Sequence, residues 1–394
     1  MFLSSTVTSL VIVLIVIFLF REGIDLFNQS PVEQSFALVV NSKNPVNEIK
    51  SVDLKNMFDQ NITDWKEVGG NPGPIVLFRI DDIGNYFSDE QLGDSFKNIP
   101  TCLGTLVDSL SGIIAFIPEK YVKGEKTGNH LPLIGKILPV DKVSLKNFLT
   151  AKEWFPTAQP SAQLGVLPLI LGTLWVSLGA ILIALPLGLA TAIYMAEIAD
   201  SKIRNILKPL IELLAGIPSV VYGFFGLIII VPAIQKLFAL PVGETALAGS
   251  IILGIMALPT IITISEDALR TTPKAMKEAS LALGANKWQT IHRVVIPYSI
   301  SGITSAAILG IGRAVGETMA VLMVTGNAAV IPHGFLAPVR TIPATIAAEL
   351  GEAPQGGLHF KALFALGCIL FIITMCINLF VQFISTRKKY NSKG

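Results

Sequence analysis

Residues 165–195, "GVLPLILGTLWVSLGAILIALPLGLATAIYM", contain no charged side chain. A stretch like this constrains the fold more than any other feature of the chain. A bilayer core takes about 20 mostly apolar residues to cross as a helix, since every backbone N–H and C=O must be bonded within the segment. Six segments reach that standard, at roughly 3–20, 165–195, 209–234, 246–265, 299–325 and 362–384. The chain is 15% charged and 52% hydrophobic, whereas soluble domains carry about 25% charged residues. The expected fold class is an all-α polytopic membrane protein with six transmembrane helices and a small extracytoplasmic α/β insertion. The first segment lacks a basic leader and an A-x-A cleavage site, so it reads as a retained anchor at 1–20.

Charge sets the expected orientation. Lys202, Arg204 and Lys208, then Arg270, Lys274, Lys277, Lys287 and Arg293, then Arg387, Lys388, Lys389 and Lys393 fall on one side of the spans. The opposite short loops hold Lys236 and Arg340, with Lys361 at a helix edge. The positive-inside rule puts the first set, both termini and a basic tail at 386–394 in the cytoplasm. A net charge of +2 gives no reason to expect nucleic acid. Cys102, Cys368 and Cys376 form no CxxC or Cys/His cluster, so neither a disulfide nor a metal site is indicated.

One polar stretch separates two of the spans: "KEASLALGANKWQTIHRVVIP", 277–297. Pro273 suits a first helical turn and "KAMKEASLAL" is rich in helix formers. Gly284 fits a left-handed C′ stop. A second helical segment is expected from Asn286, with Pro297 breaking the pattern at the membrane entry. From the residues alone this helix–turn–helix is as readily an amphipathic loop resting on headgroups as a docking element. Its spacing, however, Glu278-Ala279-Ser280, then Gly284, then Ile296-Pro297, resembles the EAA loop of ABC importer permeases. That resemblance implies a type I ABC importer permease core at 161–385, with a coupling loop at 266–297 that docks an ATPase. The chain has no Gly-x4-Gly-Lys-Ser/Thr; "GNHLPLIGKI" at 128–137 has the wrong spacing and no hydroxyl after its lysine. No cofactor is therefore expected in this chain, ATP and Mg being bound by a partner ATPase dimer.

The fifth span carries "GIGRAVGETMAVLMVTGN", 310–327. Arg313 and Glu317 stand four apart, which on a continuous helix places them on one face. A charge at the bilayer centre costs about 2.5–3.5 kcal/mol even on insertion scales, so such residues face a partner or a water-filled path. A self-neutralising pair is the plain reading; Arg preceding Glu is the weaker order for one. Gly312 and Gly316 are spaced to admit a neighbouring helix. Together with "LLAGIPSVVYGFFGL" at 213–227 and "ALPTIITISEDALRTTPKAMKEAS" at 257–280, this segment resembles PstC-type permease subunits of phosphate-specific ABC importers across about 163–385. The resemblance implies that Arg313 and Glu317, with Thr318 beside them, line a phosphate path. It implies as partners a second, PstA-type permease, the ATPase dimer, an extracytoplasmic phosphate-binding protein, phosphate itself and membrane lipid. Gly216, Pro218, Gly223 and Gly226 in the third span read equally as packing positions or as kinks.

Residues 21–160 differ in character, with apolar runs "PIVLF" and "GIIAFI" and turn signals at 70–73. "SVDLKNMFDQNITDWKEVGGNPGPIVLFR", 51–79, and "SLSGIIAFIPEKYV", 109–122, resemble parts of periplasmic phosphate-binding proteins over about 36–125. Where that family has Ser-Gly-Thr at a helix N-terminus, this chain reads Ile80-Asp81-Asp82-Ile83-Gly84-Asn85. Two aspartates repel an anion where backbone amides would attract one, so the expected role is docking or gating toward a separate binding protein. An intramembrane enzyme would need His-Glu-x2-His, Gly-x-Ser-x-Gly or aspartates within spans, none of which is present. His130, His292, His333 and His359 have no ligand spacing. The reading is a non-catalytic permease subunit of an ATP-driven phosphate importer. The alternatives are a permease for molybdate or sulfate, which share the EAA loop, and a transporter-like phosphate sensor.

Overall fold

The computed structural model describes residues 2–33, 35–93, 96–123 and 134–391. His130, Lys393 and most of the 128–137 glycine segment lie outside them. The chain forms two compact units, Met1–Gly165 with Ala353–Ala362, and Val166–Glu352 with Leu363–Gly394.

In the first unit, helix α1 (Phe2–Asp25) runs unbroken for 24 residues, and its apolar side chains from Val7 to Phe18 are largely exposed. Lys361 closes an ion pair with Asp25 at its end. A four-stranded sheet follows in the order β2-β3-β1-β4, built from β1 (Phe36–Val40), β2 (Val76–Arg79), β3 (Ile113–Pro118) and β4 (Lys136–Ile137). β1 and β3 are antiparallel; β2 and β3 are parallel, with Val76 opposite Ile113. Parallel pairing needs a crossover, and helix α3 (Ile99–Ser109) lies within it; helix α2 (Ser51–Phe58) precedes β2. The run "IIAFI" is apolar throughout because β3 is buried on both faces. Ile113, Ala115 and Ile117 pack with Leu103 and Val107 of α3, while Ile114 and Phe116 pack with Leu54, Met57 and Trp65.

The second unit is helical. α4 (Leu167–Ile193) ends in a wide π turn, Tyr194–Ile198. α5 (Ser201–Gly216), α6 (Ser219–Phe238), α7 (Ala246–Arg270), α8 (Lys274–Ala282) and α9 (Lys287–Gly316) follow. Then come α10 (Met319–Val324), α11 (Ile342–Glu349) and α12 (Leu358–Asn391). Among the described residues, five helices are long and apolar enough to cross a membrane: Leu167–Ile198, Ser219–Phe238, Ala246–Arg270, Lys287–Gly316 and Leu358–Phe383. α7 sits at the centre and packs against both α4 and α9. Glycines set these contacts: a Cβ on Gly179 would lie 2.3 Å from Ser250 Oγ, and one on Gly302 would lie 2.3 Å from the Ala268 Cβ. Backbones approach this closely because small residues permit van der Waals packing where lipid removes the hydrophobic drive.

Three expectations change. The third span does not run over 209–234. Ile217 precedes Pro218 and takes the extended conformation proline imposes on its predecessor (φ −71°, ψ 128°), which ends α5. α5 is a separate amphipathic helix carrying Lys202, Arg204, Lys208 and Glu212, and the span resumes at Ser219. The fifth span begins earlier and stops earlier than 299–325, at Lys287–Gly316. Pro297 does not break it: a π turn at Ile291–Val295 lies directly upstream, and Pro297 sits in the first turn of the continuing α-helix Ile296–Gly316. A widened turn re-routes the hydrogen bonds that a proline cannot make. The π turn Gly226–Ile230 precedes Pro232 in the same way.

Candidate functional site: a polar hairpin and a broken membrane helix

The hairpin forms as its residues dictate. Pro273 is the N-cap of α8 rather than a first-turn residue, with φ −58° and ψ 135°. Gly284 takes φ +85°, a region open to glycine but costly for other residues. The Gly284 amide donates to the Leu281 carbonyl at 2.9 Å and the Ala285 amide to the Ser280 carbonyl at 3.2 Å. Asn286 then caps the start of α9, accepting from the Gln289 amide at 2.8 Å while the Gln289 side chain accepts from the Asn286 amide at 2.9 Å. This reciprocal capping box satisfies two orphan donors.

Glu278, Ala279 and Gly284 are exposed; Ser280 is half-buried because its hydroxyl meets the Thr290 hydroxyl at 3.0 Å. At the far end of the motif, Ile296 is half-buried and Pro297 exposed on α9. Large apolar side chains stand out on the hairpin as well. Leu283 is 88% exposed and Trp288 61%, with Met276 and Leu281 also uncovered. The hairpin is held to the helices around it. Thr272 Oγ1 and Ser299 Oγ are 3.1 Å apart, and Ser299 donates to the Ala268 carbonyl at 2.9 Å. Lys277 pairs with Glu197 of the π turn that closes α4. Beside these, the buried carboxylate of Glu266 receives Lys208 at 3.4 Å and Arg270 at 3.5 Å. Sequence reasoning missed Glu197 and Thr290 as partners. Glu197 lies 80 residues from Lys277 and no local pattern joins them.

The second place is the end of α9. Arg313 and Glu317 do not share a helix face, which corrects the sequence expectation. The helix stops at Gly316, and Glu317 is extended with φ −71° and ψ 135°. Arg313 Nη1 donates to Thr260 Oγ1 of α7 at 3.4 Å. Glu317 Oε1 instead accepts from the Ala320 amide at 3.5 Å, at the start of α10. Thr318, half-buried, donates to the Gly316 carbonyl at 3.3 Å. Among the described residues no ion pair joins Arg313 to Glu317, so the self-neutralising pair is not formed.

The glycines are also reassigned. Gly312 and Gly316 have nothing within 4 Å of a would-be Cβ, so they do not seat a neighbouring helix. Gly310 does, 2.9 Å from the Ile261 side chain, and Gly302 likewise against Ala268. Gly312 and Gly316 therefore bracket Arg313 with open space. A hollow of about 490 Å³ adjoins the break, lined by Gly316, Thr318, Pro343, Ile346, Ala347 and Leu350. Of the four small or kinking residues in the third span, Gly223 packs on Ala320 and Met323, and Gly226 on Ile252 and Val324. Pro218 marks the break, and Gly216 faces open space.

A helical membrane unit with an exposed polar hairpin on one helix end, and charged side chains beside an open break on the same helix, defines a membrane transport component. The family model described as "Binding-protein-dependent transport system inner membrane component" matches residues 184–390, more than half of the chain, and the protein belongs to that family. A probable ABC transporter permease protein, YqgH, of Bacillus subtilis is 42% identical over 250 residues, covering 64% of this chain and 81% of that protein. The phosphate transport system permease protein PstC of Mesorhizobium japonicum is 40% identical over 260 residues, 61% of this chain and 78% of its own length. The phosphate transport system permease protein PstC 1 of Mycobacterium bovis is 35% identical over 310 residues, covering 70% and 90%. The resemblance to PstC-type permeases read from 213–227, 257–280 and 310–327 is borne out.

Proposed function

We propose that this chain is one membrane-spanning half of an ATP-driven phosphate importer. It shares the translocation path with a second, PstA-type permease, binds an ATPase dimer through the α8–α9 hairpin on the cytoplasmic side, and receives phosphate from an extracytoplasmic binding protein. Both termini are cytoplasmic in this reading, and ATP hydrolysis belongs to the partner. The observation that carries it is the break after Gly316. Arg313 stands free of Glu317 beside two glycines that leave space open, in a chain akin to phosphate permeases.

The chemistry divides between the two side chains. A guanidinium is permanently charged and presents planar donors matched to phosphate oxygens. Phosphate near neutral pH retains a proton that an ionised Glu317 accepts in a hydrogen bond; sulfate has none to offer. Arg313 therefore binds transiently, Glu317 discriminates, and Thr318 lines the adjoining hollow. Exposed Leu283, Trp288 and Met276 support the docking role of the hairpin, since a soluble partner covers such side chains at low cost.

The outer unit acts in docking or gating. Asp82 Oδ2 accepts from the Arg79 amide at 3.2 Å, so a carboxylate of the chain itself caps the short turn Ile80–Asn85. The Arg79 guanidinium lies over the Phe58 ring at 5.3 Å. Both features favour a separate protein as the carrier of phosphate.

The test is uptake of radiolabelled phosphate by the assembled importer in proteoliposomes, against sulfate and molybdate. Arg313→Ala should lower phosphate uptake by roughly 10²-fold with the complex still assembling. Glu317→Gln should weaken the preference for phosphate over sulfate. Unchanged uptake and selectivity in both variants would sink the reading.

A further inference from the structure

Three π turns interrupt the second unit, and one of them is unlike the others. Gly226–Ile230 and Ile291–Val295 each lie just upstream of a proline, Pro232 and Pro297, whose missing donor they accommodate. Tyr194–Ile198 has no proline after it; its last bond, Ala199 amide to Tyr194 carbonyl at 2.8 Å, closes α4 and the chain turns away into α5. A wide turn with no proline to accommodate marks a place where side-chain direction matters. The side chain it presents is Glu197. Its carboxylate meets Lys277 Nζ of α8 at 2.5 Å, with 11% of the Glu197 side chain exposed and 23% of the Lys277 side chain.

We infer that the Lys277–Glu197 pair is a strut that passes movement of the docking hairpin to α4. The hairpin is continuous in sequence with α7 and α9 and needs no side chains to move them. It has no such link to α4, from which α5, α6 and α7 separate it along the chain. Lys277–Glu197 supplies one. Lys277 stands in the middle of α8, one residue before Glu278, so its position follows any tilt of that helix. Three residues on, along the same face of α8, the Ser280–Thr290 hydroxyl contact at 3.0 Å ties the hairpin to α9. A motion of α8 is thereby shared between α9, which carries Arg313, and α4, which also packs directly on α9 through Ala192, Val295 and Ile303. Lys277 and Glu197 are positioning residues: neither touches phosphate or nucleotide. The pair is half-shielded, so it is less screened than a surface pair, and the partner ATPase, when docked, shields it further.

The inference rests on the importer reading, and the experiment separates the two. The assembled importer is reconstituted with Lys277→Glu, Glu197→Lys, the double swap Lys277→Glu/Glu197→Lys, and Glu197→Gln. Uptake of radiolabelled phosphate and ATP hydrolysis are measured together. Each single reversal should cut uptake by roughly tenfold, and Glu197→Lys, which lies outside the docking loop, should leave hydrolysis within about twofold, raising ATP consumed per phosphate. The double swap should recover at least half of the lost uptake. Glu197→Gln, which keeps the shape, should show the same change in ratio more weakly, and serves if a reversal fails to assemble. A second readout needs no phosphate: spin labels on α4 and α8 should change separation together on ATP addition in the native pair and not in Glu197→Gln. An unchanged ATP-to-phosphate ratio, a double swap no better than the worse single, or label distances insensitive to Glu197→Gln would each overturn the strut. If the native complex takes up no phosphate, the importer reading falls instead, and the label distances alone decide the strut.

Discussion

The two units of this protein pack their interiors in different ways. The outer unit hides its large residues: Phe78, Phe116, Leu54, Leu103 and Trp65 are almost wholly inaccessible. The helical unit hides small residues among its large ones. Along α7 the buried Ile252, Leu253, Met256 and Ile261 are interspersed with buried Ala246, Ala248, Gly249, Ser250, Gly254 and Ala257, while Leu178, Leu182 and Leu187 of α4 are exposed. Water drives the first arrangement, since each large apolar side chain removed from it contributes about 1.5–3 kcal/mol. Lipid offers no such drive, so the second is held by close backbone approach and van der Waals contact, and bulk is left to face the acyl chains. The lesson is that burial has a different meaning in each unit. Large buried side chains mark both cores, and in the helical one small residues set how closely α4, α7 and α9 approach.

The contrast is sharpest under substitution. Phe116→Ala should destabilise the outer unit by about 3–5 kcal/mol, because it empties a filled site between α2 and β3. Hydrogen exchange across β1 and β3 of the full chain measures it. Leu182→Ala removes a smaller apolar group, from a residue that is 62% exposed, and should shift stability by no more than about 0.5 kcal/mol. Equal losses would break the comparison. In the reverse sense, Gly179→Leu should cost about 1–3 kcal/mol or more, since even a Cβ there would lie 2.3 Å from Ser250 Oγ. Thermal unfolding in detergent would report it, and a neutral result would mean that α4 and α7 are not closely packed.

The smallest effect is confined to the watery unit. Asp64 accepts from the Lys66 amide at 2.8 Å and the Gly73 amide at 3.2 Å, and these donors hold its carboxyl below the ordinary value of 3.8. A lowered folded pKa means the stabilisation is full above 3.8 and is lost as pH falls through the lower folded value. Amide exchange at Lys66 and Gly73, corrected for its intrinsic pH dependence, should therefore quicken only under acid below that value. Asp64→Asn should remove the pH dependence.

Much of this was legible along the chain. The hairpin followed from local chemistry: Gly284 could only stop α8, and Asn286 with Gln289 could only start a helix well. The strands at 76–79 and 113–118 followed from their apolar runs. Hydropathy located the membrane segments but not their interruptions. Apolar residues flank Ile217-Pro218 and Gly316-Glu317 on both sides, whereas the break depends on backbone conformation. The glycines misled for a related reason. Gly312 and Gly316 have the spacing of a packing motif, yet Gly302 and Gly310 make the contacts, because only the rotation of α9 against α7 selects a face.

By itself, then, the order of residues determined which parts belong to lipid and which to water, where the polar hairpin turns, and that an arginine and a glutamate lie within the apolar body. These depend on solvation and on bonds within a few residues. Tertiary structure alone decided that Arg313 reaches Thr260 rather than Glu317, and that Lys277 meets a carboxylate 80 positions away. Such pairings depend on how helices rotate and cross, and that is settled only when their surfaces meet.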